Sequence, residues 1–87
     1  MYKVYVIYNL QVDKFYIGQT KDLPTRLMLH NSKEFKGYTA KFVGKWDVIY
    51  TEEKDTRQEV LVREKQLKSY RGREFVKNLI YSRVAQR

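Results

Sequence analysis

The chain has 87 residues, of which 43% are hydrophobic, enough for one small hydrophobic core. Its 18 Lys and Arg residues outnumber its 10 Asp and Glu residues, and the net charge of +8 favours an anionic partner, nucleic acid before membrane. The absence of cysteine and the single histidine exclude a disulfide framework, a thiolate zinc site, a cysteine nucleophile and a metal site built from several histidines.

Three segments rich in β-branched and aromatic residues predict strands. Residues 3–9 and 15–20 are joined by a short connection and predict a β-hairpin. The connection lacks an Asn-Gly pair, so the sequence leaves its turn type open. Residues 46–53 return to β-forming residues and predict a third strand.

The first predicted helix follows the hairpin, over about residues 22–31. Asp22 or Thr20 can cap its N-terminus, and Pro24 suits a first turn, where a backbone N–H would have no helical partner. Residues 32–45 hold two glycines and several lysines, which predicts a polar loop.

Two further helices are predicted in the second half of the chain. Residues 55–70 carry apolar residues at helical spacing, and Thr56 with Glu59 forms a capping-box pair. Gly72 is expected to interrupt the helical pattern, and residues 73–84 predict the final helix. The order β-β-α-β-α-α indicates an α+β domain, with a small sheet covered by helices.

No segment predicts a membrane span or a secretory signal. The chain has no run of about 20 apolar residues, the length that a membrane-spanning helix needs. Its N-terminus lacks the small-residue cleavage site of a signal peptide. We therefore expect one domain over residues 1–87, located in the cytoplasm and, given its charge, able to associate with the nucleoid.

The first predicted helix places two polar side chains beside its apolar stripe. Leu23 and Leu27 define the stripe on a helical wheel, and Arg26 and His30 fall on the same side. These two side chains should therefore face the rest of the domain. Their structural interpretation is an arginine with a packed stem and a histidine in a structural hydrogen bond.

The second predicted helix carries a carboxylate within its apolar face. Glu64 falls among the apolar residues of that face, which are Val60, Leu61 and Leu67. A buried carboxylate without a partner costs several kcal/mol of desolvation. Glu64 is therefore either in a structural ion pair, with Arg26 or a lysine, or it is a metal ligand or catalytic carboxylate at the rim of the core.

Tyrosine recurs along the predicted strands. Tyr5 and Tyr16 lie on adjacent strands and can bring their hydroxyl groups near each other, although core packing alone is the alternative for each. For the other tyrosines with a predicted place in the core we expect packing only, and these are Tyr2, Tyr8, Tyr50 and Tyr81.

The polar residues singled out by these patterns suit one kind of chemistry. A single carboxylate suits Mg²⁺, which keeps several waters and also binds substrate phosphate. An arginine stabilises the charge of an attacked phosphate, and a tyrosine or histidine moves protons. Together they indicate metal-assisted phosphodiester hydrolysis on a basic surface, whereas a glycosidase would need a pair of carboxylates.

The motifs themselves resemble a known family. "KVY" at 3–5, "YIG" at 16–18, Arg26, His30 and Glu64 in "VREKQLKS" resemble the GIY-YIG nuclease domain. The closest resemblance is to small standalone bacterial GIY-YIG proteins, related to the N-terminal nuclease domain of the bacterial repair excinuclease. It covers nearly the whole chain and implies a three-stranded antiparallel sheet flanked by helices. It also implies DNA phosphodiester cleavage with one divalent ion, Mg²⁺ or Mn²⁺, in repair or recombination.

The resemblance also implies a role for each matching residue. Tyr5 would be the general base toward the attacking water, and Tyr16 would position water or the scissile phosphate. Arg26 would bind that phosphate and its developing charge. His30 would contact phosphate or shuttle a proton, and Glu64 would hold the metal ion.

Other positions carry a looser expectation. Gly18 would let the backbone pack closely or accept phosphate, and Asn78 matches the family's late asparagine only loosely. Lys3 departs from the family, whose first motif usually has glycine there. We find no separate DNA-binding module, so DNA affinity should come from exposed cations, which grip phosphate without reading sequence. These cations are Lys36, Lys41, Lys45, Lys65, Lys68, Arg71 and Arg73.

Three functions therefore compete. The first is a metal-dependent endonuclease acting on DNA, with RNA left open as substrate and with target choice supplied by DNA structure or by a protein partner. The second is a non-catalytic, basic nucleic-acid-binding module. The third is a small structural or interaction protein whose charge only maintains solubility. The complete set of motif residues favours the first, and oligomeric state is not determined by the sequence.

Overall fold

The secondary-structure elements follow the predicted order, with one short addition. The structure, a computed structural model, describes residues 1–34 and 37–85. Its elements are β1 (Tyr2–Asn9), β2 (Lys14–Thr20), α1 (Leu23–Ser32), a short 3₁₀ helix (Tyr38–Lys41), β3 (Asp47–Lys54), α2 (Arg57–Lys68) and α3 (Tyr70–Ala85). The 3₁₀ helix lies within the segment predicted as a polar loop. None of the described helices is long and apolar enough to cross a membrane.

The sheet has three antiparallel strands in the order β2-β1-β3, so β1 is central and β2 forms one edge. The prediction of an α+β fold with a small antiparallel sheet is confirmed. Residues 4–7 of β1 are fully buried, although alternate side chains point to opposite faces. Both faces of the sheet are therefore covered.

Each face of the sheet has its own hydrophobic cluster. On one face Val4 and Val6 pack with residues of α2 and α3, which include Val60, Leu67 and Val76. On the other face Tyr5, Ile7 and Trp46 are fully buried and pack with Leu23 and Leu27 of α1. The sheet thus separates α1 from α2, and only its edges give side chains of both layers access to each other.

Local hydrogen bonds explain where α1 and α2 begin. Asp22, rather than Thr20, caps α1, because its carboxylate accepts from the Thr25 backbone N–H at 3.2 Å. Thr56 caps α2 by accepting from the Glu59 backbone N–H at 3.1 Å, as the capping-box pair predicted.

The predicted break at Gly72 is wrong. The chain leaves the helical path at Ser69, and Gly72 lies in the first turn of α3. A Cβ atom at this position would collide with the backbone of Gln66 and Leu67. Gly72 is therefore required for the close approach of α3 to the end of α2, not for ending a helix.

Two predictions of burial are also wrong. Leu61 is 42% exposed, because it lies about 100° from Val60 around α2, outside the arc that contacts the sheet. Tyr81 is 77% exposed on α3, where Val76 instead fills the buried position.

Candidate active site

Tyr5 and Tyr16 lie on the same face of the sheet as a diagonal pair. Tyr5 pairs with Gly18 across the β1–β2 ladder, and Tyr16 pairs with Ile7. Because side chains alternate along a strand, the two tyrosines point to the α1 side, and their ring centroids are 6.3 Å apart.

Gly18 makes room for the Tyr5 side chain. A Cβ atom at Gly18 would lie 2.6 Å from the Tyr5 hydroxyl oxygen and 2.9 Å from Cε2 of Tyr16. The Tyr5 ring therefore extends across Gly18 to the edge strand, which carries its hydroxyl toward the open side of the sheet. A phosphate contact by the Gly18 backbone stays a prediction.

His30 connects Tyr5 to the 3₁₀ helix. Its ring is buried, with 1% exposure, and Nε2 lies 2.8 Å from the Tyr5 hydroxyl. Nδ1 lies 2.7 Å from the hydroxyl of Thr39, which is 2% exposed. Thr39 was missed by the sequence reasoning, because a threonine inside a polar loop shows no periodicity that would mark it as buried.

His30 is neutral in the folded protein near pH 7. Burial, followed by the positive charges of Arg26 and Lys33, lowers its pKa to about 4. A neutral imidazole has one donor and one acceptor nitrogen, and both neighbours of His30 are hydroxyl groups that can take either role. Tyr5, His30 and Thr39 thus form a buried chain along which a proton can move.

The charges around Tyr5 identify its other neighbours. Burial, and next the nearby Tyr16, raise the pKa of the Tyr5 hydroxyl well above its usual range, so that it is a neutral phenol near pH 7. The charge of Arg26 and a hydrogen bond from it oppose this rise, while Glu64 adds to it. Arg26 and Glu64 therefore both lie close to the Tyr5 hydroxyl, although they come from helices on opposite faces of the sheet.

Glu64 is ion-paired and partly buried. Its Oε2 atom lies 2.7 Å from Nζ of Lys68, one turn along α2, and its side chain is 18% exposed. Of the partners considered from the sequence, the lysine is the one found. Within the described residues no group of three His, Asp or Glu side chains is arranged to hold a metal ion. One carboxylate at the rim of a polar site fits an ion such as Mg²⁺, which keeps most of its ligands as water and phosphate.

Two cavities flank these residues. The first, the aromatic cavity, has a volume of about 250 Å³ and is lined by Phe15, Tyr16, Ile17, Tyr38, Lys68 and Arg73. The second, the arginine cavity, has a volume of about 310 Å³ and is lined by Tyr2, Gln19, Thr20, Lys21, Asp22, Arg26 and Arg57. Each cavity includes residues of β2, so cations lie toward both ends of this edge strand. Arg57 was not singled out from the sequence, because a cation in the first turn of an exposed helix is common.

The structure places the remaining predicted contact residues as follows. Lys68 and Arg73 line the aromatic cavity. Lys45 lies near Asp47 at 3.7 Å, at the start of β3. Lys41, Lys65, Arg71 and Asn78 are exposed and line neither cavity, and Lys36 lies outside the described residues. Their nucleic-acid contacts stay predictions.

The buried, neutral His30 should make the fold sensitive to mild acid. The unfolded chain binds a proton below about pH 6.5, whereas folded His30 does so only near pH 4, so acid favours unfolding between these values. The free energy of unfolding should fall by about 2 kcal/mol from pH 7.5 to pH 5. Urea unfolding at these pH values measures it. His30→Gln, which cannot titrate, should show a flatter profile, and an equal loss in both proteins would contradict the assignment.

Comparison with known proteins agrees with the geometry. The family model described as the GIY-YIG catalytic domain matches residues 1–78. Comparisons with curated proteins and with solved structures gave no significant match. The matched range contains all five residues that converge at the β2 edge, namely Tyr5, Tyr16, Arg26, His30 and Glu64.

Proposed function

The chain belongs to the GIY-YIG catalytic domain family, a nuclease family, and on that premise we propose that it is a metal-dependent endonuclease that hydrolyses DNA phosphodiester bonds. The observation that carries the proposal is the convergence at one sheet edge of a buried tyrosine–histidine pair with Arg26 and Glu64. A structural core would not need a cation, a carboxylate and a proton-carrying chain around one phenol.

Arg26 and Glu64 have complementary tasks in this proposal. Arg26 would bind the scissile phosphate and stabilise the negative charge that develops on it. Glu64 would hold a divalent ion, Mg²⁺ or Mn²⁺, which when bound supplies Lewis-acid stabilisation of the phosphate oxygens. The pairing of Glu64 with Lys68 is compatible with this role, because an i,i+4 pair at the protein surface is weak and easily exchanged.

Tyr5 and His30 would handle the proton of the attacking water. As the water attacks phosphorus, its proton passes to the Tyr5 oxygen while the Tyr5 proton passes to Nε2 of His30. The lowered pKa of His30 means that the proton is released again readily, to the leaving oxygen or to solvent. The burial of His30 supports this shuttle role over direct contact with phosphate. Tyr16, whose ring centroid is 5.1 Å from that of His30, would help to position the water or the phosphate.

Thr39 should act through His30, as a positioning residue. Thr39→Val removes the hydroxyl group that holds Nδ1, so the imidazole loses its fixed orientation, and we expect cleavage to fall by about tenfold. Thr39→Ser keeps the hydroxyl group and should restore cleavage. The measurement is single-turnover cleavage at a temperature where both variants are folded. Equal cleavage by Thr39→Val and the unchanged protein would remove Thr39 from the mechanism.

The function is tested by cleavage of a panel of linear, nicked and branched DNA with Mg²⁺, with Mn²⁺ and with EDTA. We expect metal-dependent nicking that is greatest on a particular DNA structure, since contacts to phosphate carry no sequence information. Target choice by DNA structure or by a protein partner, as in repair or recombination, belongs to this proposal. Salt-sensitive binding without cleavage under either metal would instead support the non-catalytic nucleic-acid-binding module.

A further inference from the structure

The aromatic cavity shares residues with the candidate active site. Tyr16 lies between the two, since its ring centroid is 5.1 Å from that of His30 and 6.4 Å from that of Tyr38. Lys68 lines the cavity and also contacts Glu64 at 2.7 Å. A polymer whose phosphate is bound at Arg26 and Glu64 therefore extends directly along this cavity or away from it.

The cavity combines aromatic rings with cations. The rings of Tyr16 and Tyr38 are nearly parallel, with an interplanar angle of 20°, and Tyr38 is 42% exposed. The guanidinium group of Arg73 lies 5.0 Å from the centroid of the Phe15 ring. None of the described residues that line the cavity is acidic. Such a surface suits a ligand that is both aromatic and anionic.

A nucleotide is such a ligand only when its base is unstacked. A base inside a duplex has both faces covered by its neighbours, so aromatic side chains reach it only after it leaves the stack. A base in a bulge, a flap or a single strand has already lost its pairing and costs little to move.

We propose that the aromatic cavity binds one unpaired nucleotide next to the scissile phosphate, so that the enzyme prefers DNA with an unpaired nucleotide beside the cleavage site. This inference rests on the proposed function for its cleavage site, but not for its binding. Tyr38 stacks on the base, and Lys68 and Arg73 contact the flanking phosphates.

The test measures binding separately from cleavage, in EDTA, where no metal-dependent reaction occurs. Two fluorescent duplexes share the same sequence and length, except that one contains a single unpaired 2-aminopurine nucleotide. We expect the bulged duplex to bind about tenfold more tightly, and its 2-aminopurine fluorescence to be quenched on binding, because stacking on an aromatic side chain contributes about 1–3 kcal/mol per base.

Variants locate the effect at Tyr38. Tyr38→Ala should weaken binding of the bulged duplex by at least about fivefold and leave the paired duplex nearly unchanged, whereas Tyr38→Trp should retain the preference. Tyr81→Ala is the matched control, since Tyr81 is 77% exposed and does not line the aromatic cavity. It should change neither affinity.

The possible failures are distinguishable. Equal affinity for both duplexes, or an equal loss of both in Tyr38→Ala, would overturn the inference even if the protein cleaves DNA. A Tyr38-dependent preference for the bulged duplex without cleavage under any metal would support the cavity and refute the nuclease proposal. Where cleavage occurs, it should lie within one nucleotide of the bulge, and cleavage at random along the duplex would count against the cavity.

Discussion

Glu64→Gln should lower metal-dependent DNA cleavage by about 10³-fold or more. Glutamine keeps the size of the side chain but removes the negative charge that would hold the divalent ion, and metal stabilisation of a phosphoryl transition state is worth several kcal/mol. The lost ion pair with Lys68 should cost the fold less than about 1 kcal/mol, since exposed i,i+4 pairs contribute little. Single-turnover cleavage with Mg²⁺, together with urea unfolding, measures both effects.

Glu74→Gln is the matched control for this experiment. Glu74 pairs with Lys77 at 3.3 Å on α3, and its side chain is 48% exposed. Its replacement also removes one surface ion pair and one negative charge, so cleavage should be unchanged. Cleavage that persists at the full rate in Glu64→Gln would show that the ion binds elsewhere or that a contaminating nuclease is responsible.

Tyr5→Phe should lower cleavage by about 10²–10³-fold, the range that general acid–base catalysis contributes. The variant keeps the ring that packs across Gly18 but removes the hydroxyl group that passes the water's proton to His30. It also leaves Nε2 of His30 without its buried partner, which should cost about 1–3 kcal/mol of folding stability. Single-turnover rates at saturating DNA, compared with urea unfolding, separate the chemical effect from the effect on stability.

Tyr8→Phe is the control for Tyr5→Phe. Tyr8 lies on the same strand, and its hydroxyl donates to Asp13 at 2.7 Å, in an exposed hydrogen bond. The variant should cleave at the unchanged rate and lose less than about 1 kcal/mol of stability. If Tyr5→Phe also cleaves at the unchanged rate, the phenol of Tyr5 takes no part in proton transfer and only packs in the core.

The sequence predicted the elements well where local rules are strong. The caps of α1 and α2 could be read directly, because Asp22 and Thr56 bond to backbone groups only three residues away. The inward orientation of Arg26 and His30 followed from helical periodicity in the same way. Periodicity left structural and catalytic interpretations of these residues open, and it was the resemblance to GIY-YIG domains that gave the site its expected composition.

The errors lie where packing between elements decides. Leu61 is exposed, although it is adjacent to a buried valine, because the width of the contact arc on α2 depends on how closely the sheet approaches. Gly72 looks like a helix terminator, but its neighbours are backbone atoms of the preceding helix. In both cases the residue's own conformational preference was a poor guide to its tertiary surroundings.

The sequence by itself determined the strands and helices, their order, and the direction in which each polar side chain points from its own element. It did so because strand and helix periodicities are local properties of the backbone. Only the tertiary structure decided which of these side chains meet. His30 contacts Tyr5 across 25 residues of chain, and Thr39 joins them from a loop without periodicity. Glu64 approaches from the other face of the sheet, past an edge where Gly18 has no side chain, and that approach depends on how α2 packs rather than on any local pattern.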